Sequence, residues 1–181
     1  WNIFGGAVAA GKVLNLNTKQ MVYAMGLAGM FASVPFMARW ARPMDSMPLS
    51  KYHETGWTSQ SALTAALLAQ IGYSATTEIL DGKNGFWKMT GHEECNYDFM
   101  FDKLGQKWWI MQTSFKPWPS CRFSHQPMTV FAKIIDENNI KADEIEKVTI
   151  KGSLLYGPYY AYKHPNNLVN MQFSTPYCLA N

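Results

Sequence analysis

From Trp1 to Leu14 the chain is built almost entirely of apolar and small residues, with Gly5, Gly6 and Gly11 set among Ala7, Ala9 and Ala10. A helix of this composition exposes too few polar groups to stand in water, and its small side chains leave no bulk to fill a core alone. It is therefore constrained to lie against other helices at close approach. Trp1, Phe4 and Val8 share one helical face, with Gly5, Ala9 and Lys12 alongside, and that first face is the expected buried stripe. Gly6 to Lys12 also has the phosphate-loop spacing GxxxxGK. Val13 stands where a magnesium-holding Ser or Thr is required, and close helix packing explains the glycines better.

Helix follows helix through the first hundred residues. Asn17 with Gln20 three positions on has capping-box spacing, and Met21, Met25 and Ala28 continue an apolar stripe behind it. Pro35, Pro43 and Pro48 then punctuate a stretch holding Arg39, Arg42 and Asp45, which reads as a loop or broken helix. Leu63, Ala66, Leu67 and Gln70 recur at helical spacing between Thr58 and Ile71, and Gly72 is placed to stop that helix. A shorter helical piece is expected from Thr77 to Leu80, followed by a surface connection reaching Asn96.

Composition changes after Gly105. Lys107 to Phe115 is rich in tryptophan and β-compatible residues and reads as a strand entering a rigid Lys116-Pro117-Trp118-Pro119 turn. Ser124 is expected to cap a helix that turns Met128, Phe131, Ala132 and Ile135 inward and closes at Asn138-Asn139. Val148, Ile150 and Gly152 alternate with polar neighbours, so a second strand follows. The fold class expected is mainly α with an α/β second domain: residues 1–111 all-helical, residues 112–181 α/β, with the boundary near Gln112.

The 181 residues carry 16 Lys and Arg against 13 Asp and Glu, scattered without a basic stripe, which argues against a nucleic-acid partner. Apolar runs break well before the roughly 20 residues of a bilayer span, so no membrane segment is expected. The 3 cysteines lie far apart without a CxxC pair, which points to a reducing compartment, the cytoplasm or, in a eukaryote, the mitochondrial matrix. His92 and Cys95 flank Glu93 and Glu94 but lack the further ligands a metal requires, so no metal is expected. HExxH and GxSxG are both absent.

The informative segment runs from Lys116 to His125. It gathers an ammonium, the Cys121 thiol, the Arg122 guanidinium and the His125 imidazole around a proline-stiffened turn into a helix. Carboxylate substrates call for such cations, and a helix start adds backbone N–H donors and a positive dipole end. Arg122, His125 and Cys121 are thus candidate substrate-binding residues for a small carboxylic acid.

This KPxPxCRxxH pattern resembles the hallmark of the MmgE/PrpD family, which includes 2-methylcitrate dehydratase and cis-aconitate decarboxylase. Three other stretches agree in order: Trp1 to Gly5 with the small-residue helix behind it, Lys51 five residues before Gly56, and Met171-Gln172-Phe173-Ser174-Thr175-Pro176-Tyr177-Cys178-Leu179-Ala180. The resemblance implies a large helical domain, a smaller α/β lid and an active site in the cleft between them, without metal or organic cofactor. It implies catalytic roles for Lys51, Lys116 and Tyr177. It also implies a helix over Tyr97 to Lys103, where the alternation of Tyr97, Phe99 and Phe101 reads as a strand, and both readings stay open.

The chain departs from the family pattern in two places. Glu54 stands where many members carry a histidine two residues before the glycine, with His53 one place earlier, so the substrate-facing imidazole is either displaced to His53 or replaced by the Glu54 carboxylate. Cys121 replaces the histidine of decarboxylase-like members. A family histidine expected just before Trp1 is not among these residues, so a longer polypeptide is expected. The activity implied is a lyase acting on a citrate-like di- or tricarboxylic acid, by dehydration or decarboxylation. An epimerase on the same scaffold and a catalytically silent binding subunit are the alternatives. A homodimer through the helical domain is expected, Gly5, Gly6, Ala9 and Ala10 permitting close helix contact, although the same residues equally suit the interior of one subunit.

Overall fold

The structure is a computed structural model, and it describes residues 2–32, 47, 52–152 and 160–181. The chain divides into two compact units, Trp1–Pro35 with Tyr52–Trp108, and Phe36–Lys51 with Trp109–Asn181. Among the described residues all regular structure is helical.

In the first unit α1 (Asn2–Val13), α2 (Thr18–Phe31) and α3 (His53–Gln70) pack against one another pairwise. Their shared core is Ile3, Ala7, Ala24, Leu27, Ala28, Ala62, Ala65, Ala66 and Ala69. Alanine dominates because the helices approach too closely at their crossings for larger side chains there. A Cβ added at Gly6 would lie 2.8 Å from the Ala62 Cβ, and one at Gly26 would meet the carbonyl oxygen of Thr76. The phosphate-loop pattern therefore lies in a helix, its first glycine taken up by the contact with α3.

Close approach also rotates the faces from those the large side chains suggest. On α1 the buried stripe is Ile3, Ala7 and Gly11, while Phe4 and Val8 are half-buried at its edge. On α3 the alanines are buried, and Leu63 and Leu67 remain 49% and 43% exposed. The α2 start is as expected: the Asn17 side chain accepts from the Gln20 N–H at 2.9 Å and the Gln20 side chain accepts from the Asn17 N–H at 3.0 Å. Gly72 at φ +93° follows α3 as its stop.

The helix expected at Thr77 to Leu80 does not form; turns occupy it, and Ile79 is buried under α2 at Gly29. The connection beyond is not all surface. Short α4 (Phe86–Met89) buries Phe86 and Trp87, and Phe86 meets Phe4 edge-on at 4.9 Å. Tyr97 opens α5 (Tyr97–Phe101), capped by the Asn96 side chain, and its hydroxyl donates to Leu80 O at 2.8 Å, so the alternation at Tyr97, Phe99 and Phe101 is helical.

The second unit holds α6 (Arg122–Asn138), α7 (Leu168–Phe173) and α8 (Thr175–Ala180), with α8 packed on both. Met47, Tyr160 and Phe173 form its core, joined by Cys121, Tyr162 and Val169. The expected strand at Lys107 to Phe115 is not formed. A single 3-10 turn, Trp109–Gln112, lies there instead, and Val148 to Gly152 has no regular structure. A strand exists only when its N–H and C=O groups find a ladder partner, and neither segment has one among the described residues. An open apolar groove lies beside α6, lined by Phe123, Val130, Phe131, Ile134, Val148 and Ile150. The α6 face is nearly as expected, with Met128, Phe131 and Ile135 half-buried and Ala132 exposed. Asn139, in the left-handed conformation at φ 52°, closes the helix.

Candidate functional site

The helix start differs from the expectation that Ser124 caps it. Cys121 is the N-cap residue, and Ser124 lies one turn inside, fully buried, where its hydroxyl pairs with that of Thr175 at 3.0 Å. A second link ties the same two segments: the Cys121 N–H donates to Gln172 O at 2.7 Å. The proline-bearing turn from Lys116 to His125 and the Met171 to Ala180 stretch are thus fastened together at two points within one unit.

The turn folds around one backbone group, the carbonyl of Ser120, a residue only 6% exposed. Lys116 Nζ donates to it at 3.0 Å. His125 Nε2 meets it at 3.3 Å, and because a carbonyl only accepts, that nitrogen carries the proton. The imidazole is 5% exposed and sits edge-on to Trp118 at 5.5 Å, and its Nδ1 is buried without a partner. Lys116 itself is exposed, so an ammonium with three donors holds one fixed point and faces solvent.

The other expected residues fall as follows. Arg122 is exposed, and its Nη2 donates to Ser114 Oγ at 3.0 Å with longer contacts to the Ser114 and Phe115 carbonyls, so it clamps the segment entering the turn. Cys121 is half-buried beside the unit's core. Tyr177 is half-buried on α8, its N–H bonded to the capping Ser174 Oγ at 3.1 Å. His53 opens α3. Lys51 lies outside the described residues.

Several polar groups at this place leave little sequence signal. Asn170 is 1% exposed, donates to Asn166 Oδ1 at 2.8 Å, and leaves its own Oδ1 unpaired. The Tyr162 hydroxyl donates to Asn170 O, and Ser174 Oγ donates back to Tyr162 O at 2.6 Å. Burial, with Cys178 nearby, pushes the Tyr162 phenol up to about 12. Burial also pushes the Cys178 thiol up, against a hydrogen bond from Ser120 that pulls it back, and the thiol donates to Met171 O at 3.3 Å. All three cysteines are free. Among the described residues no three His, Cys, Asp or Glu side chains converge, and no helix is long and apolar enough to cross a membrane.

Residues 1–97 of the 181 match the family described as the MmgE/PrpD N-terminal domain, which is more than half of the chain. No curated protein matches it.

Proposed function

The chain belongs to the MmgE/PrpD family, and on that premise we propose that it is part of a lyase that dehydrates or decarboxylates a citrate-like di- or tricarboxylic acid without metal or organic cofactor. The observation that carries the reading is the fastening of the cationic turn to the Tyr177 segment through Cys121 to Gln172 and Ser124 to Thr175. Lys116 and Tyr177, distant in sequence, belong to two motifs that hold each other in register.

In this reading Lys116 and Lys51 hold substrate carboxylates. Fixed ammonium groups gain strength as water leaves a site, and they hold the bond to be broken in one orientation. Loss of water or carbon dioxide also requires a proton moved to or from carbon, which a lysine, histidine or tyrosine of this set supplies. Cys121 and His53 are further substrate contacts in this reading. Arg122 and His125 direct donors to backbone carbonyls of the turn and its approach, so they shape the turn that presents Lys116. The open groove beside α6 is the kind of face that an α/β layer buries, which supports a lid built on the second unit. The enzyme is proposed to be a homodimer in the cytoplasm or mitochondrial matrix, and a monomer mass in light scattering at working concentration would count against the dimer.

Incubating the full-length protein with citrate, 2-methylcitrate and cis-aconitate, with NMR following loss of water against loss of carbon dioxide, tests the activity. Turnover of one of them is expected. Recovery of all three unchanged from folded, full-length protein would remove the lyase assignment.

A further inference from the structure

We infer that His125 is a positioning residue for Lys116, acting through the Ser120 carbonyl that both side chains share and not by touching substrate. The inference rests on the reading that Lys116 contacts the substrate.

The geometry carries it. The Ser120 oxygen has two lone pairs, and it meets two donors, Lys116 Nζ at 3.0 Å and His125 Nε2 at 3.3 Å. Ser120 and His125 are both buried, at 6% and 5% exposure, so water does not readily replace the imidazole at the carbonyl. The His125 ring is held from a second side by the edge-on Trp118, and its backbone is held in the first turn of α6. The Cys121 N–H, bonded to Gln172 O at 2.7 Å, holds the plane of this same peptide, the imidazole occupies one side of its carbonyl oxygen, and the flexible lysine stem is thereby confined to the other. A ring this buried is poorly placed to reach a ligand from solvent, whereas Lys116 is exposed. Without the imidazole one lone pair of the carbonyl is vacated, and the ammonium is free to swing toward it and away from its working direction.

The experiment compares His125→Leu, His125→Gln, Lys116→Ala and the double variant Lys116→Ala/His125→Leu in the full-length enzyme, with melting temperatures alongside. His125→Leu is expected to lower kcat by up to about 100-fold, the scale on which small misplacements of a reacting group act, while KM changes little. His125→Gln, whose amide N–H can replace Nε2–H, is expected to recover most of that loss. The double variant is expected to be no slower than Lys116→Ala alone, because two residues acting as a unit are not additive. Normal turnover by Lys116→Ala overturns the site reading and this inference with it. If Lys116→Ala is inactive but His125→Leu is normal, or His125→Gln is as slow as His125→Leu, or the two losses multiply in the double variant, only this inference is overturned.

Discussion

Ser124 in α6 and Thr175 in α8 lie 51 positions apart and share a buried hydroxyl-to-hydroxyl hydrogen bond of 3.0 Å. Ser124 is fully buried and Thr175 is 3% exposed, so neither oxygen has water to turn to. Ser124→Ala leaves the Thr175 hydroxyl stranded and is expected to cost about 1–3 kcal/mol in denaturant unfolding. Adding Thr175→Val should recover most of that loss, since removing both partners of a buried pair is close to neutral. A silent Ser124→Ala would show that the pair does not hold the two segments.

Two glycines are expected to respond to alanine with opposite signs. At Gly26 the new methyl meets the Thr76 carbonyl and the Ala75 side chain, and because a backbone atom cannot swing aside, Gly26→Ala should lose about 1–3 kcal/mol. Gly5 is exposed on α1 with nothing within 4 Å of an added Cβ. There, Gly5→Ala should gain about 0.5–1 kcal/mol from reduced chain entropy. Thermal melts of the two variants decide it: a gain in Gly26→Ala would mean that the α2 contact with the loop at Thr76 is loose, and a loss in Gly5→Ala that the space beside Gly5 is not open.

These sites also show how far the sequence could be read. The Asn17 and Gln20 capping box and the Asn139 stop are local, set by residues within one turn, and both are where the pattern puts them. The inward faces of α1 and α3 are not local. Large side chains such as Leu63 advertise burial, yet the close crossing of Gly6 over Ala62 gives the interior to alanine and leaves Leu63 outside. The strand at Lys107 to Phe115 depends on a partner that its own residues cannot supply. In the candidate site, side-chain types made Lys116 and His125 visible, but their meeting point is a main-chain oxygen, and every residue has one. Asn170, whose buried amide anchors α7, carried no motif at all.

Tyr162 is expected to leave a mark on stability at high pH. Its hydroxyl donates to Asn170 O and burial raises it to about 12, above the ordinary phenol value of 10.0. A group raised on folding stabilises fully below its unfolded value and loses that contribution as pH climbs through the folded one. The loss should therefore run from about pH 10 to about pH 12, read as falling stability in the wild type and a late phenolate absorbance. Tyr162→Phe should be less stable at neutral pH and lack this part of the alkaline slope. An unchanged slope would mean that another group carries it.

Lys116 gives the sharpest separation of catalysis from folding. Its side chain is exposed and contributes little to packing, so Lys116→Ala should melt close to the wild type. If its ammonium meets a substrate carboxylate, the same change should lower kcat/KM by orders of magnitude, because an electrostatic contact made in the transition state can be worth about 3–4 kcal/mol. Lys116→Arg keeps the charge but replaces a compact ammonium by a planar fork. The fork cannot hold the Ser120 carbonyl with one donor and aim the others as the ammonium does, nor readily exchange a proton, so this variant should also fail substantially. Loss in both variants with unchanged melting identifies a positioned ammonium as the requirement. Activity retained in Lys116→Arg but not in Lys116→Ala would mean that charge alone suffices, and activity retained in both would confine the family likeness to the fold.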